Sequence, residues 1–478
     1  MSQRSLYRAP AVSGQILEVP PRSDYGELIR RNIGVIDASP AEIAGIPLGE
    51  FRSRAIAEAV QAARDYHASL GETVAEVRSN QLLIAGHQPE LFHPGVWIKN
   101  FALNQLAGRH GLTALNLIVD TDLVKSSTIS VPRALGEGYS SVPVPFDVQP
   151  NGAIYESSLV RNADCFRSFP RRVKKILPDG RDCLLPHFWP ETPGNLGDAL
   201  CAARRHWERQ WGCHNLEVPI SRIAETPSFR RFVKAVLGDL PNFRGIYNRA
   251  VRNYRAKYKL RSKNHPVPEL GERAGALETP FWQVDAESST RQSYFHDAKE
   301  PTSLRPKALM TTLYARLFLG VAFIHGIGGG KYDEVTDEII ERWLGTTAPE
   351  FGVVSATAHL PLDWADVSPS TYPTAWRLHR DLQWNPQRFA GDGGEAARKR
   401  ELIAAEPVAK EQRRHWFRDL QAVTAKLREP LQDEISRNDD ALKAIRKRLA
   451  MQKIARSREY SWVLFPEETL KPMMNPTS

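Results

Sequence analysis

Apolar and polar positions follow different rhythms along this chain, and the changes of rhythm divide it. In residues 51–71, "FRSRAIAEAVQAARDYHASLG", apolar side chains recur three and four apart. That is the period of a helix with one buried face, and Gly71 stands where such a helix ends. Just before it, "SPAEIAGIPL" opens on Ser39 and Pro40, a cap and first-turn pair that predicts another helix start. From residue 81, short apolar runs take over. "QLLIAG", "TALNLIVDTD", "VAFIHGI" and "FGVVSATAHLPL" read as buried strands, with "VWIKNFALNQLAGRHG" as a helix between the first two. Strand, loop, helix and strand in about 40 residues make a βαβ unit, which implies a parallel sheet with helices packed on it.

"SVPVPF" and the Pro-rich aromatic stretch to about 195 read as inserted. A helical stretch is expected over roughly 198–260 and a strand at Phe281–Val284, so the insertion spans about 140–280. Residues 395–458 carry a third pattern. Leu420, Val423, Leu427, Leu431, Ile435, Leu442, Ile445 and Leu449 step mostly by three, four or seven, a coiled-coil or helical-hairpin seam. Pro407 and Pro430 interrupt it, so one continuous rod is not expected. The predicted class is α/β: a Rossmann-like parallel-sheet core with inserted segments, plus an α-helical coiled-coil C-terminal region. The segments are a helical N-terminal arm over 1–78, the core over 79–390, the helical region over 395–458 and a tail over 459–478.

Composition narrows this picture little. With 478 residues, 42% hydrophobic and 25% charged, the chain has length for two or three domains and is not globally disordered. No apolar run approaches the roughly 20 residues that cross a bilayer. "MSQRSLYRAPAVSG" lacks the apolar core of a secretory signal, so a cytoplasmic protein without a membrane partner is expected. The four cysteines form no C-x-x-C pair, and Cys201, His206, Cys213 and His214 match no common zinc spacing, so no zinc is expected.

The formal charge of +9 does change the picture. Basic residues cluster in "RRVKK" (171–175), in "RNYRAKYKLRSK" (252–263) and in the C-terminal helical region. The second cluster interleaves Tyr254 and Tyr258 with cations. It reads either as a surface that tracks a nucleic-acid backbone or as a solvated helix face, and the solvated face is adopted here. An anionic small molecule is then the expected partner.

Ligands of parallel sheets sit at the carboxyl ends of the strands. Three polar loops fall at such ends. "GHQPELFHPGVWIKN" follows the first strand, and its helix start near Gly95 offers free N–H groups to a phosphate or carboxylate. His87 and His93 could donate to that anion or move protons near neutral pH. His93-Pro94-Gly95-Val96 also carries three positions of the H-x-G-H nucleotide-binding motif, although a proline-stiffened turn gives the same letters. The second loop is Asp120-Thr121-Asp122 with Lys125, able to hold an amine or Mg²⁺, act as base, or only cap a helix. The third, "HGIGGGKYDE", offers Gly328, Gly329 and Gly330 for close backbone approach and Lys331 for an anion, without Walker A spacing. Arg305 in "SLRP" is a further anion contact.

In this order the segments resemble the bacillithiol-biosynthesis cysteine-adding enzymes (BshC). The likeness lies in Gly86-His87-Gln88 with Leu91-Phe92, where the family has Gly-Gln-Gln and Leu-Phe. It continues in the acidic strand end Asp120-Thr121-Asp122, in Leu304-Arg305-Pro306 before Gly328–Gly330, and in "WVLFPEETL" after the helical region. The chain departs from the family at His87, at His93-Pro94-Gly95 and at the missing histidine between the aspartates. The resemblance implies a Rossmann-like core related to class I nucleotidyltransferases, a coiled coil that forms a homodimer, and joining of cysteine to an amino-sugar conjugate. On this reading His87, His93, Asp120 and Asp122 are catalytic. Gly86, Gln88, Gly95, Lys125, Arg305, Gly328, Gly329, Gly330 and Lys331 bind the ligand, with ATP or another nucleotide and Mg²⁺ as cofactors. The alternatives are nucleotidyl transfer to another acceptor, and a nucleic-acid-binding or scaffold protein without catalysis.

Overall fold

The chain forms two compact units: residues 1–131, 142–360 and 458–478 make the first, and 132–141 with 361–457 the second. The computed structural model describes all residues except 1–6, 137, 149–151, 179–180, 192–193, 261–266, 286–288, 298–302, 365–366, 369, 392 and 476–478.

A six-stranded sheet centres the first unit. Its strands are numbered here β1 (Ile16–Val19), β2 (Leu82–His87), β3 (Thr113–Ile118), β4 (Leu216–Pro219), β5 (Gly320–His325) and β6 (Gly352–Ala356). They lie in the order β1-β6-β5-β2-β3-β4, with β2 to β6 parallel and β1 antiparallel on the edge. From β2 the chain winds outward through β3 to β4, then returns to the other side of β2 for β5 and β6. That is the doubly wound Rossmann order, and the winding reverses between β2 and β5. Every residue of β3 and β5 is buried, as in strands covered on both faces.

Four long helices flank the sheet: α1 (Tyr25–Asp37), α2 (Leu48–Ser69), α3 (Pro94–Arg109) and α4 (Leu196–Gln210). Right-handed crossovers put α3 and α4 on one face. There Glu208 of α4 accepts from Trp97 Nε1 at 2.8 Å and Asn100 Nδ2 at 2.7 Å on α3. The other face carries the large core in which Phe51 and Ala55 of α2 meet Phe229, Phe232, Phe318 and Ile340. Eleven of the sixteen residues of α3 are buried. Its outer side is closed by the C-terminal segment, where Trp462 packs on Trp97 with ring centroids 4.5 Å apart. Residues 459–475 are therefore part of this core.

Several elements differ from the sequence reading. "SPAEIAGIPL" is no helix start: Glu42–Ile43 and Ile46–Pro47 pair as a small hairpin, turned at Ala44 and Gly45 with φ of 50° and 75°. The helix lies earlier, as α1, and α2 begins at Leu48 and ends before Gly71 at φ 66°. The stretch 198–260 is broken by β4, whose four residues are too few to show a period. The Phe281–Val284 strand belongs to a separate small sheet of Ala276–Asp285, Thr290–His296, Leu304–Pro306 and Glu272–Arg273.

The second unit is helical: Thr371–Trp384, Glu395–Ala404, Lys410–Arg428 and Gln432–Ala455. Of the seam residues, Val423, Leu427, Ile435 and Leu442 are buried, while Leu420, Leu431, Ile445 and Leu449 are half-buried. Val423 and Leu427 pack on Ala396. His379 and Asp439, 2.8 Å apart, join Thr371–Trp384 to Gln432–Ala455, so part of the seam is used within the chain. Among the described residues, no helix is long and apolar enough to cross a membrane.

Candidate active site

The site is built at the carboxyl edge of the sheet, where β2 and β5 run side by side and lead away in opposite windings. Helix α3 starts there, capped by His93, whose Nδ1 accepts from Gly95 N at 3.1 Å while its carbonyl accepts from Val96 N at 2.9 Å. The first amides of α3 are thus occupied by His93 itself, which corrects the expectation of an open anion seat at that terminus. Gly95 is explained by packing: a Cβ there would lie 2.2 Å from Ala356 O and 2.5 Å from the Arg458 guanidinium. Arg458 donates to Ala356 O at 3.0 Å and to Ser355 Oγ at 3.2 Å, bringing a cation from the far C-terminus to the end of β6.

Lys99 occupies the point of reversal. Its Nζ donates to Gly86 O, at the end of β2, at 2.9 Å. Its aliphatic stem passes Gly326, just beyond β5, where a Cβ would lie 3.8 Å from Lys99 Cδ. The side chain belongs to a residue only 3% exposed. Among the described residues it has no carboxylate partner and that single acceptor, although an ammonium carries three donors. Burial brings its pKa down to about 8. Sequence reasoning missed Lys99, because one lysine inside "VWIKNFALNQL" resembles any polar position on a helix.

Three histidines surround this ammonium. His87 Nδ1–H donates to Gln88 O at 3.2 Å, which leaves Nε2 as an acceptor, and its ring stands edge-on to Phe92. Enclosure, and then Lys99, push its pKa well below the usual range, so it is neutral at pH 7. His93 is lowered to about 4, by burial first and by Arg458 and Lys99 in addition, against the opposing pull of Glu459. With Nδ1 accepting, its proton sits on Nε2, 3.8 Å from Glu459. His325, at the end of β5, donates Nε2–H to Asp333 at 2.8 Å, and Arg316 holds the same carboxylate oxygen at 2.6 Å. Burial lowers His325, while Arg316 and His325 outweigh burial at Asp333 and hold it at about 2. This Arg–Asp–His chain was not legible either, since its members are brought together only by the turn after β5.

That turn is not the glycine loop expected from "HGIGGGKYDE". Ile327–Tyr332 is a short helix, α5, followed by α6 (Glu334–Leu344). Its glycines permit close packing. A Cβ on Gly329 would lie 2.6 Å from His325 Nδ1, and one on Gly330 would lie 2.5 Å from Val353 Cγ2. Gly328 is exposed, with only Tyr332 Oη near its missing Cβ, at 3.3 Å. Lys331 lies in the last turn of α5, its carbonyl accepting from Tyr254 Oη at 2.8 Å, so this end of the helix is tied to Leu240–Lys257.

The acidic loop forms the neighbouring wall. Gln88 Nε2 donates to Asp122 Oδ2 at 2.7 Å, which joins the first two predicted loops directly. Arg291 of the small sheet closes on Asp122 Oδ1 at 2.6 Å and on Thr121 O at 2.6 Å. Asp122 keeps partial exposure, and Lys125 is exposed beside it. Asp120 serves differently: it accepts from Ser221 N at 3.0 Å and from Ser221 Oγ, at the start of the helix Ile220–Ala224. Burial, reinforced by Glu156, raises Asp120 to about 7 despite those bonds. Arg305 is likewise committed, gripping Glu156 through two bonds of 2.9 and 2.7 Å and Glu225 at 2.8 Å, which corrects its reading as a free anion contact. Among the described residues no group of three His, Cys, Asp or Glu side chains is placed to hold a metal ion.

The structure therefore gathers Gly86, His87, Gln88, His93, Asp122 and Lys99 along one edge, with Asp120 and Arg305 bracing it through Glu156, whose N–H donates to Asp120 O at 2.7 Å. A separate cavity of about 520 Å³ lies at the opposite edge, near Ala114, Asn215 and Arg205. Its Arg205 and Glu217 pair with each other at 2.9 Å, and Arg204 behind them holds the same Glu217 at 2.6 Å. The basic stretch 252–263 also spends cations internally. Arg252 pairs with Glu269 at 2.5 Å and Lys257 with Glu334 at 2.5 Å, while 261–263 lie outside the described residues.

No protein-family model matches the chain, and no curated protein matches it. Among solved structures, the tyrosyl-tRNA synthetase from Aeropyrum pernix is similar over 84% of this chain and 99% of that chain, with 11% identity and a TM-score of 0.23. The fold class stands on the sheet order and not on this likeness.

Proposed function

We propose that the chain is a carbon–nitrogen ligase that holds a nucleotide-activated carboxylate at the β2–β5 crevice and joins it to an amine. The observation that carries this reading is the buried, under-used Lys99 ammonium at the strand-order reversal. Its spare donors suit a phosphate, and its position leaves His87 Nε2 free to accept a proton. In the step proposed, the amine nitrogen attacks the activated carbonyl. A C–N bond forms, the C–O bond to the phosphate breaks, and the nucleotide leaves with that electron pair. His87 takes the proton lost by the amine, and Lys99 stabilises the charge growing on the departing phosphate. Asp122, oriented by Gln88, offers the acceptor an anionic partner.

The resemblance to the cysteine-adding enzymes makes cysteine and an amino-sugar conjugate the substrates to try first. The full chain would be incubated with ATP, cysteine and such an amine, and the mixture read by mass spectrometry for the amide and for cleaved nucleotide. Amide formation that disappears in His87→Ala, with the fold unchanged by circular dichroism, is the expected result. Absence of nucleotide cleavage with any carboxylate and amine pair overturns it.

A further inference from the structure

The "RRVKK" cluster is not used by the site described above, and the structure gives it a definite form. It lies on the helix Ala163–Ile176, whose Phe166, Phe169 and Val173 are buried and fix its orientation. Arg167, Arg171, Lys174 and Lys175 fall at i, i+4, i+7 and i+8, which places them within one arc opposite that apolar face, and all four are exposed. Some exposed cations elsewhere are paired, as in Arg54–Glu50, Arg252–Glu269 and Lys426–Glu395. Here Arg167 meets Asp164 at 3.0 Å and Lys174 lies within electrostatic reach of the Asp182 carboxylate, but among the described residues Arg171, Lys174 and Lys175 form no close ion pair.

The stripe is grooved on both sides. One hollow, of about 850 Å³, is lined by Asn162, Ser168, Arg171, Arg172 and Arg167, together with Asp164, whose carboxylate Arg167 holds. A second, of about 420 Å³, is lined by Pro170, Arg171, Lys174, Lys175 and Pro186. They meet at Arg171. Arg172 is pinned to the carbonyls of Pro145 and Cys165 at 2.6 and 2.8 Å, so the stripe rests on a braced helix. Two residues beyond Pro186, Phe188 stacks flat on His206 with ring centroids 3.8 Å apart, and both rings keep partial exposure.

We infer that the exposed face of Ala163–Ile176 binds the phosphate backbone of single-stranded nucleic acid. The four exposed cations are spaced over about 12 Å of helix, enough for a few successive phosphates, and the flanking hollows accept a flexible strand. The buried apolar face argues against a membrane surface, because no hydrophobic side of this helix remains to enter lipid. This departs from the sequence reading, which favoured an anionic small molecule as partner and placed the nucleic-acid alternative at 252–263 and the C-terminal helical region. It is independent of the proposed ligase chemistry.

The test is fluorescence anisotropy of the full chain with a labelled 20-nucleotide RNA of mixed sequence. Three or four phosphate contacts predict affinity falling about 20- to 50-fold between 50 and 200 mM salt. The triple variant Arg171→Glu, Lys174→Glu, Lys175→Glu is expected to weaken binding at least tenfold. A control with the same change of charge, Lys447→Glu, Arg448→Glu, Lys453→Glu in Gln432–Ala455, is expected to stay within about twofold. Thermal melts establish that both variants fold. No binding at 50 mM salt, equal losses in both variants, or equal stripe-dependent binding to phosphatidylserine vesicles would each overturn the inference.

Discussion

Lys99 is a buried ammonium with one hydrogen-bond acceptor, which is costly for folding and useful for binding an anion. Its pKa of about 8 lies below the unfolded value near 10.4, so between these the unfolded chain binds more protons. Stability is therefore lowest below about pH 8 and rises toward pH 10.4, by about 3 kcal/mol from this group. Lys99→Met is expected to remove that rise, measured as the difference between the two proteins in urea melts across the window; parallel pH profiles would contradict it. Arg305 carries the opposite lesson. It braces Glu156 and Glu225 across the acidic wall, so Arg305→Ala strands a half-buried carboxylate. A loss of about 2–4 kcal/mol in denaturant melts is expected, and an unchanged midpoint would show the brace to be idle. Gly86, His87, Gln88 and Asp122 were legible because they stand in polar loops directly behind apolar runs. Lys99, Arg458 and Asp333 were not, because each owes its place to tertiary packing and not to its neighbours in sequence.

At the scale of elements, close packing at the strand ends decides what the glycines do. Three glycines after a strand read as a loop because glycine is a poor helix former. The short helix α5 forms all the same, since Gly329 and Gly330 let it sit against His325 and Val353. Alanine at Gly330 or Gly95 is expected to cost about 1–3 kcal/mol or more through overpacking. Alanine at exposed Gly328 should cost much less. Denaturant midpoints of the three variants check this, and equal effects would mean that these approaches are not tight. The strands β2, β3, β5 and β6 were readable as apolar runs. The strands β1 and β4 were not, being four-residue edges without a period of their own. The order of the strands, and with it the point of reversal, could not be read from any one segment.

For the whole molecule, the C-terminal segment is structural. Trp462, Leu464, Phe465 and Leu470 are buried in the first unit. A chain ending at residue 457 would uncover Trp97 and lose Arg458, and it is expected not to reach a cooperative fold; a sharp, native-like calorimetric transition in that truncation would refute this. The sequence showed this stretch only as a tail, because burial by a distant helix leaves no local signal. Buried ion pairs also set the acid limit. Glu72 and Glu217 are each held at about 2 against the cost of burial, Glu72 by His67, Arg205 and Arg209 and Glu217 by Arg204 and Arg205. Depressed carboxylates stabilise fully above their unfolded value near 4 and lose that contribution as pH falls through about 2.

The central claim is that the β2–β5 crevice holds a phosphate-bearing ligand on Lys99. Calorimetric titration of ATP into the wild type and Lys99→Met, at pH 7 and at pH 9.5, tests it most directly. Binding by the wild type is expected at pH 7, at least tenfold weaker at pH 9.5 as the ammonium is lost, and equally weakened at pH 7 in Lys99→Met. Binding that Lys99→Met leaves unchanged, or no binding of ATP by the wild type, would contradict it.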